Sequence, residues 1–378
     1  LFAAIFIGLR IVGHRWGAAP ASAAVGGTLV TGPSMAPTLW GPNAELTCTA
    51  CDVRWKVHWQ PEQRPQTAVV CWNCGESVCI DDAVELPGDR VVIGELSNSS
   101  PRRGDLVAIA AENWSNESEL PNWVVKRVAA LPGQTISHQS GWLFADDKPL
   151  WAVDEAGQPV WIGVHDDSFR RRGQSWWQPR DTDPGIGLNE RGFVFLADSG
   201  PTPWLDYRHF AVHDAMRPDV VRDDVPGNAT EVRALVPVHS LGVTFTAKAT
   251  AATEIEVAFS LGEETTVLRR ELPAGKSLQR IDFDDAAPTN VADASAPPIS
   301  IRLRSGQATL TNIVVWRPLR YRIDPRLAAK QTWPIVLGAD EYYLLGDNVP
   351  LSIDSRDWGP IPRRRIVGRI DAVGYDGR

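Results

Sequence analysis

An excess of positive charge is absent: 38 Lys and Arg stand against 46 Asp and Glu, a net charge of −8. A nucleic-acid partner needs a basic patch, so composition gives no electrostatic case for one. Cysteine is scarce at five, and all five fall between residues 41 and 86. No clear internal repeat is present, which argues against a solenoid or propeller. A full-length membrane span is missing too. The chain opens on Leu1-Phe2-Ala3-Ala4-Ile5-Phe6-Ile7-Gly8-Leu9 and has no initiating Met. Nine apolar residues as helix cover about 14 Å, against about 30 Å of hydrocarbon. Residues 1–16 are therefore expected to be the end of a longer membrane anchor. A core helix or a processed signal remnant are the alternatives. Arg10, His14 and Arg15 follow the apolar run. They oppose the positive-inside rule if the chain continues outside the cell.

What is present suits a globular chain of two or three domains: 378 residues, 43% of them hydrophobic. With 29 Pro and 31 Gly, short strands and loops are expected over long helices. Trp is abundant at 16. Core packing and crowded loops account for this; a membrane-interface role for some of the rings is the alternative.

Short apolar runs bounded by Gly, Pro or Asp predict strands at Arg90–Ile93, Leu106–Ile109, Trp123–Val125, Trp142–Phe144, Glu341–Leu345 and Ile366–Ile370. Residues 151–187 are polar and Trp-rich and read as an irregular connection. Residues 188–330 read as a separate β domain. There Val243–Lys248, Glu254–Phe259 and Ile299–Arg304 alternate with a period of two, as half-buried antiparallel strands do. Turn signals every 8–12 residues suggest a sandwich or jelly roll. Asp284–Pro298 reads as a loop.

Ser34 sits in Gly32-Pro33-Ser34-Met35. Glycine permits unusual backbone angles and proline fixes φ, so this serine can project from a rigid turn. Its hydroxyl needs a base within hydrogen-bond reach. None of the seven His lies in a comparable motif. Lys126, in Val124-Val125-Lys126-Arg127-Val128, is the better candidate. In a strand it shares a face with Val124 and Val128. A desolvated lysine has a lowered pKa and becomes available as a general base. The plain alternative is a lysine that snorkels from a strand edge.

Four segments in order resemble the type I signal peptidases, membrane-anchored serine endopeptidases of the Ser-Lys class. They are Ser34-Met35-Ala36-Pro37-Thr38-Leu39; Gly88-Asp89-Arg90-Val91-Val92; Arg103–Val107 with Val125–Gly133; and Gly346–Gly359 with Ile366–Arg369. The resemblance covers 27–40, 87–150 and 335–375. It implies Ser34 as nucleophile, Lys126 as base and Ser352 as a hydrogen-bond partner that orients the lysine. It also implies an oxyanion hole formed by the Ser34 N–H. Some members add a serine hydroxyl two residues before the nucleophile; here that position is Gly32. Asp347 is expected to pair with Arg127, and Asp354 with Arg356; ordinary surface charge is the alternative. Val30, Met35, Leu39 and Val125 are the candidate substrate-pocket residues. Val349-Pro350 departs from the family's usual polar pair, and the stretch before the final segment is much longer than usual.

Cys48, Cys51, Cys71 and Cys74 form C-x2-C-x19-C-x2-C, inside the zinc-ribbon range. Gly75 allows the tight knuckle in which backbone N–H groups face the thiolates. The expectation is a structural zinc in a scaffold or protein-contact module. Two disulfides are the alternative, given the expected extracytoplasmic location. Cys79 is expected to be a buried small residue.

The combined expectation is a mainly β protein. It comprises a signal-peptidase-like catalytic core in three parts (27–46, 80–150 and 331–378), an inserted zinc-ribbon-like module (47–79) and an inserted jelly-roll-like sandwich (188–330). Its activity would be removal of signal peptides from exported preproteins after small residues, with no catalytic cofactor. It would act at the cell membrane with an extracytoplasmic catalytic domain, the lipid surface and the secretion machinery as partners. Two alternatives remain: another Ser-Lys self-processing peptidase, and a binding or assembly protein on a degenerate peptidase core.

Overall fold

The computed structural model describes residues 27–59, 68–81, 83–96, 100–110, 123–171, 174–181, 185–189, 192–198, 200–214, 216–262, 264–284 and 295–374. The expected anchor at 1–16 and most of the expected loop at 284–298 lie outside them. Among the described residues the chain is mainly β, and no helix is long and apolar enough to cross a membrane. The chain divides into two compact units. One comprises residues up to Pro42 with 87–162 and 319–378; the other comprises 43–86 and 163–318.

The first unit is built on a seven-stranded antiparallel sheet. Its order is Thr28–Leu29, Arg90–Gly94, Ile366–Gly374, Leu106–Ala110, Trp123–Ala130, Glu341–Leu345 and Ile361–Pro362. Each strand contains one of the apolar runs legible in the sequence, apart from the two-residue edge strands. The Trp123–Ala130 strand extends well beyond the expected apolar run because Lys126 and Arg127 are themselves buried in it. Its two faces pack into different clusters. Val124 and Val128 join Tyr342, Leu344 and Trp358, while Val125 joins Val30, Met35, Leu39 and Leu106. This is the alternation expected for a strand buried on both faces. A four-stranded sheet (Lys148–Pro149, Trp142–Ala145, Thr135–Gln139, Ile335–Val336) completes the unit.

The second unit contains two five-stranded antiparallel paths. One runs Ile186–Asn189, Gly192–Ala197, Gly306–Pro318, Ser240–Ala249, Gly275–Asp284. The other runs Trp177–Pro179, Leu205–Tyr207, Ile299–Leu303, Thr253–Ser260, Thr265–Leu272. Both contribute to a single core that includes Phe193, Phe195, Phe245, Val257, Phe259 and Ile301. The alternation read from Glu254–Phe259 is imperfect, because Glu256 is buried where a solvent-facing carboxylate was expected. Arg269, Arg302 and Arg304 cover it at 2.9, 2.6 and 2.9 Å. Burial alone would raise its pKa; the hydrogen bonds from Arg304 and Arg302 override that and hold it at about 2.

Three expected boundaries shift. Asn43–Thr47 pairs with Arg54–His58 and Val84–Leu86, so 43–46 and 80–86 belong to the second unit and not to the first. The stretch read as an irregular connection contains the strands Trp161–Asp166 and Trp177–Pro179. Residues 319–330, read as the end of the β domain, belong to the first unit, where Tyr321 exchanges backbone hydrogen bonds with Leu143 and Leu150.

Candidate active site and cysteine cluster

Ser34 lies in a compact turn closed by Ala36 N–H to Pro33 O (3.0 Å) and Leu39 N–H to Met35 O (3.0 Å). Lys126 reaches it from the middle of the Trp123–Ala130 strand, and Nζ is 2.8 Å from Ser34 Oγ. The lysine is only 2% exposed. Burial pushes its pKa down to about 8, with Asp354 opposing the shift and Arg356 assisting it. The Ser34 N–H has no acceptor among the described residues, so a donor stands available beside the hydroxyl.

The Gly346–Gly359 loop grips the serine turn through Asn348. Its backbone N–H donates to Ser34 O at 3.0 Å and its side-chain Nδ2 donates to Pro33 O at 3.0 Å. Sequence reasoning assigned Asn348 no role. Asp347 and Arg127 form the expected pair, fully buried, with Nε on Oδ1 at 2.8 Å and Nη2 on Oδ2 at 2.5 Å. Arg127 Nη1 donates to Gly104 O and Val153 O, both at 2.9 Å, and Nη2 donates to Thr38 Oγ1 at 3.3 Å. All five guanidinium N–H groups are thereby used, the condition under which a buried charge is tolerated. Thr38 Oγ1 and Tyr321 Oη also donate to Asp347, the latter at 3.2 Å. Neither was anticipated.

Asp354 and Arg356 form the second expected pair, with contacts of 2.8 Å from both Nε and Nη2. Arg356 donates further to the carbonyls of Arg322, Val349 and Ser352. Asp354 also accepts from the Gly346 N–H at 2.9 Å and from the Arg356 N–H at 3.1 Å, which starts the short Ser355–Trp358 helix. The Val349 that departs from the family pattern is buried, and its backbone, not its side chain, takes part in this network.

Two expectations are corrected. Ser352 Oγ is buried and makes no hydrogen bond among the described residues, so the expected bond to Lys126 is not formed. The hydroxyl instead sits against Gly346, where a Cβ would collide with it and would stand 2.5 Å from Ser34 O. Met35 and Leu39 are 1% and 0% exposed and pack with Val30 and Val125 in one cluster. They support the Ser34 turn from within the core and do not line an open pocket. Gly32 has open space around its Cβ position.

In the second unit, Cys48–Cys51 and Cys71–Cys74 occupy the tips of two hairpins, Asn43–Thr47/Arg54–His58 and Ala68–Val70/Ser77–Cys79. The two tips repeat one geometry. Asp52 and Gly75 donate to the carbonyls of Cys48 and Cys71, and Cys48 and Cys71 donate to Val53 and Glu76. Asp52 and Gly75 both have positive φ, 62° and 76°. Gly75 was expected for this reason; Asp52 was not, although Asp tolerates that region better than most residues. All four sulfurs lie within 4.8 Å of one another, with Cys48–Cys74 at 3.5 Å and Cys51–Cys71 at 3.8 Å. A tetrahedral site with metal–sulfur bonds of about 2.3 Å needs sulfurs roughly 3.8 Å apart, whereas a disulfide needs about 2.05 Å. The donor set and spacing fit a tetrathiolate metal ion. Cys79 is exposed, contrary to expectation, because it follows the buried Val78 on the outward face of a two-stranded hairpin.

The sequence profile of the family described as signal peptidase, peptidase S26, matches residues 17–160 and 319–375, more than half of the chain. The chain belongs to this family. Residues 161–318 lie outside the match. No curated protein matches the chain. Among solved structures, one described as TmCBM61 in complex with beta-1,4-galactotriose is 10% identical, covering 37% of this chain and 88% of its own, with a TM-score of 0.21. Another, BiXyn10A CBM1 in its apo form, is 9% identical over 42% of this chain and 96% of its own, also at 0.21.

Proposed function

We propose that this chain is a Ser-Lys endopeptidase of the signal peptidase type, with Ser34 as nucleophile and Lys126 as general base. The observation that supports this best is the 2.8 Å approach of the buried Lys126 amine to Ser34 Oγ. In the reading, neutral Lys126 takes the Ser34 hydroxyl proton as Oγ bonds to the scissile carbonyl carbon. The Ser34 N–H faces the developing oxyanion, a preorganised donor of the kind worth a few kcal/mol. The lysine then gives the proton to the leaving amine. Water, deprotonated by the same lysine, releases the acyl group from Ser34. Ser352, unpartnered at rest, is positioned to accept or donate only when the site rearranges around substrate.

The substrates are signal-peptide-bearing preproteins cut after small residues. The place of action is the membrane surface, with the catalytic unit extracytoplasmic and the secretion machinery nearby. The cysteine module is a zinc-ribbon-like insertion that holds one structural zinc, and the two sheets of the second unit form an inserted jelly-roll-like sandwich. Cleavage of a preprotein by wild type, Ser34→Ala and Lys126→Ala tests the reading. Both variants are expected to lose cleavage; undiminished cleavage by either rules the mechanism out.

A further inference from the structure

The second unit carries a cavity of about 370 Å³, within the ~300–1,000 Å³ usual for small-molecule sites. Phe210, Val221 and Leu235 give it an apolar wall, and Trp72, between the two cysteines of the second knuckle, lines it as well. Apart from Asp214 at the rim, its charged groups are already matched. Arg222 holds Asp219 through Nε at 2.8 Å, and Arg233 holds Asp224 through Nε at 2.7 Å. Arg317 donates to the Asp224 carbonyl at 2.5 Å. An ionic ligand would find no buried charge awaiting a partner.

A purely apolar ligand fits no better, because polar groups line the same space with hydrogen-bonding capacity to spare. Trp72, only 8% exposed, adds its ring to the apolar wall. His209 engages Tyr207 Oη through Nδ1 at 3.0 Å, which leaves Nε2. Burial pushes the His209 pKa down to about 3 and lowers that of His213, so both rings are neutral near pH 7. Asp214, exposed at the rim, has no side-chain partner among the described residues. Covering these groups with hydrocarbon would leave buried donors and acceptors unpaired.

We propose that this cavity binds a neutral polyhydroxylated ligand, a small saccharide. Hydroxyls donate and accept in turn, which suits a neutral imidazole and a carboxylate that takes two hydroxyls at once. The C–H face of a sugar ring packs on an aromatic wall. This site is independent of the peptidase reading, and Ser34→Ala is expected to bind the saccharide unchanged.

The test is calorimetric titration of the full chain with D-glucose, D-galactose, D-mannose, N-acetylglucosamine, cellobiose and chitobiose, with glucuronate and glucosamine as charged comparators. At least one neutral sugar is expected to bind with a millimolar or tighter dissociation constant. Asp214→Asn and His213→Ala, both exposed positions of the lining, are each expected to weaken it about tenfold. Three results would overturn the proposal: no neutral sugar binding at millimolar concentration, a charged comparator binding best, or binding that neither substitution alters.

Discussion

The Asn348 backbone N–H donates to the Ser34 carbonyl at 3.0 Å, across more than three hundred residues of sequence. With the side-chain bond to Pro33 O, this makes Asn348 the link between the Gly346–Gly359 loop and the Ser34 turn. Asn348→Ala removes the side-chain half of that grip. Cleavage is expected to lose about tenfold in kcat with KM little changed, the loss of one well-placed hydrogen bond. Steady-state kinetics on a preprotein substrate check it; a change confined to KM would point to substrate binding instead.

The two glycines flanking the site should behave oppositely. A Cβ at Gly346 meets Ser352 Oγ and stands 2.5 Å from Ser34 O, while a Cβ at Gly32 meets nothing within 4 Å. Gly346→Ala is therefore expected to abolish cleavage and Gly32→Ser to retain or raise it. Loss of cleavage in both would show that the Gly32 turn is more constrained than its open surroundings indicate.

The Arg127–Asp347 pair is fully enclosed, so removing one member leaves the other charge without compensation. Asp347→Ala is expected to destabilise the first unit by about 3–5 kcal/mol. Tyr321→Phe, which removes one hydrogen bond to Asp347, is expected to cost about 1 kcal/mol. Denaturant unfolding of both variants measures this. An Asp347→Ala loss no larger than the Tyr321→Phe loss would show that solvent reaches Arg127.

Lys126 makes stability depend on pH. Its folded pKa, about 8, lies below the ordinary value of 10.5. The unfolded chain thus binds the proton more tightly, and the native state carries a deficit that is full below pH 8 and disappears as pH rises towards 10.5. Lys126→Met should abolish cleavage while stabilising the fold by up to about 3 kcal/mol at pH 7, and by much less at pH 10. Melting temperatures at the two pH values give the comparison; equal shifts would place the lysine pKa near its ordinary value.

The cysteine cluster should hold one metal ion per chain, and Cys48→Ser or Cys71→Ser should release it. Asn73, between Cys71 and Cys74, is fully buried. It donates to Asp166 O and Phe169 O and accepts from the Asp166 N–H. Metal loss or Asn73→Ala should therefore destabilise the second unit, the latter by about 3 kcal/mol because buried backbone groups lose their partners. Elemental analysis and calorimetry check both. Full stability of the cysteine variants would assign the cluster no structural role.

Much of the first unit was legible because its strands are short apolar runs between Gly, Pro and Asp, and because Ser34, Lys126, Arg127 and Asp347 fall in ordered motifs. The faces of the Lys126 strand followed from alternation alone. Less accessible were contacts made by residues whose sequence neighbourhood carries no signal. Tyr321 follows a long β segment, and nothing local assigns it to the unit that contains Asp347. Glu256 alternates as an outward residue yet is buried by three arginines from two neighbouring strands. Periodicity records which way a side chain points, not what covers it. Ser352 was placed on the lysine by resemblance; the turn geometry rests its hydroxyl against Gly346 instead.

The most direct test of the Ser34–Lys126 chemistry is the rate at which a serine-acylating probe modifies Ser34, followed by mass spectrometry across pH in wild type and Lys126→Met. Acylation is expected at Ser34 alone, rising with pH through about 8 in wild type and lost in the variant. Acylation of Ser34 at the same rate in Lys126→Met, or with no pH limb near 8, would contradict it.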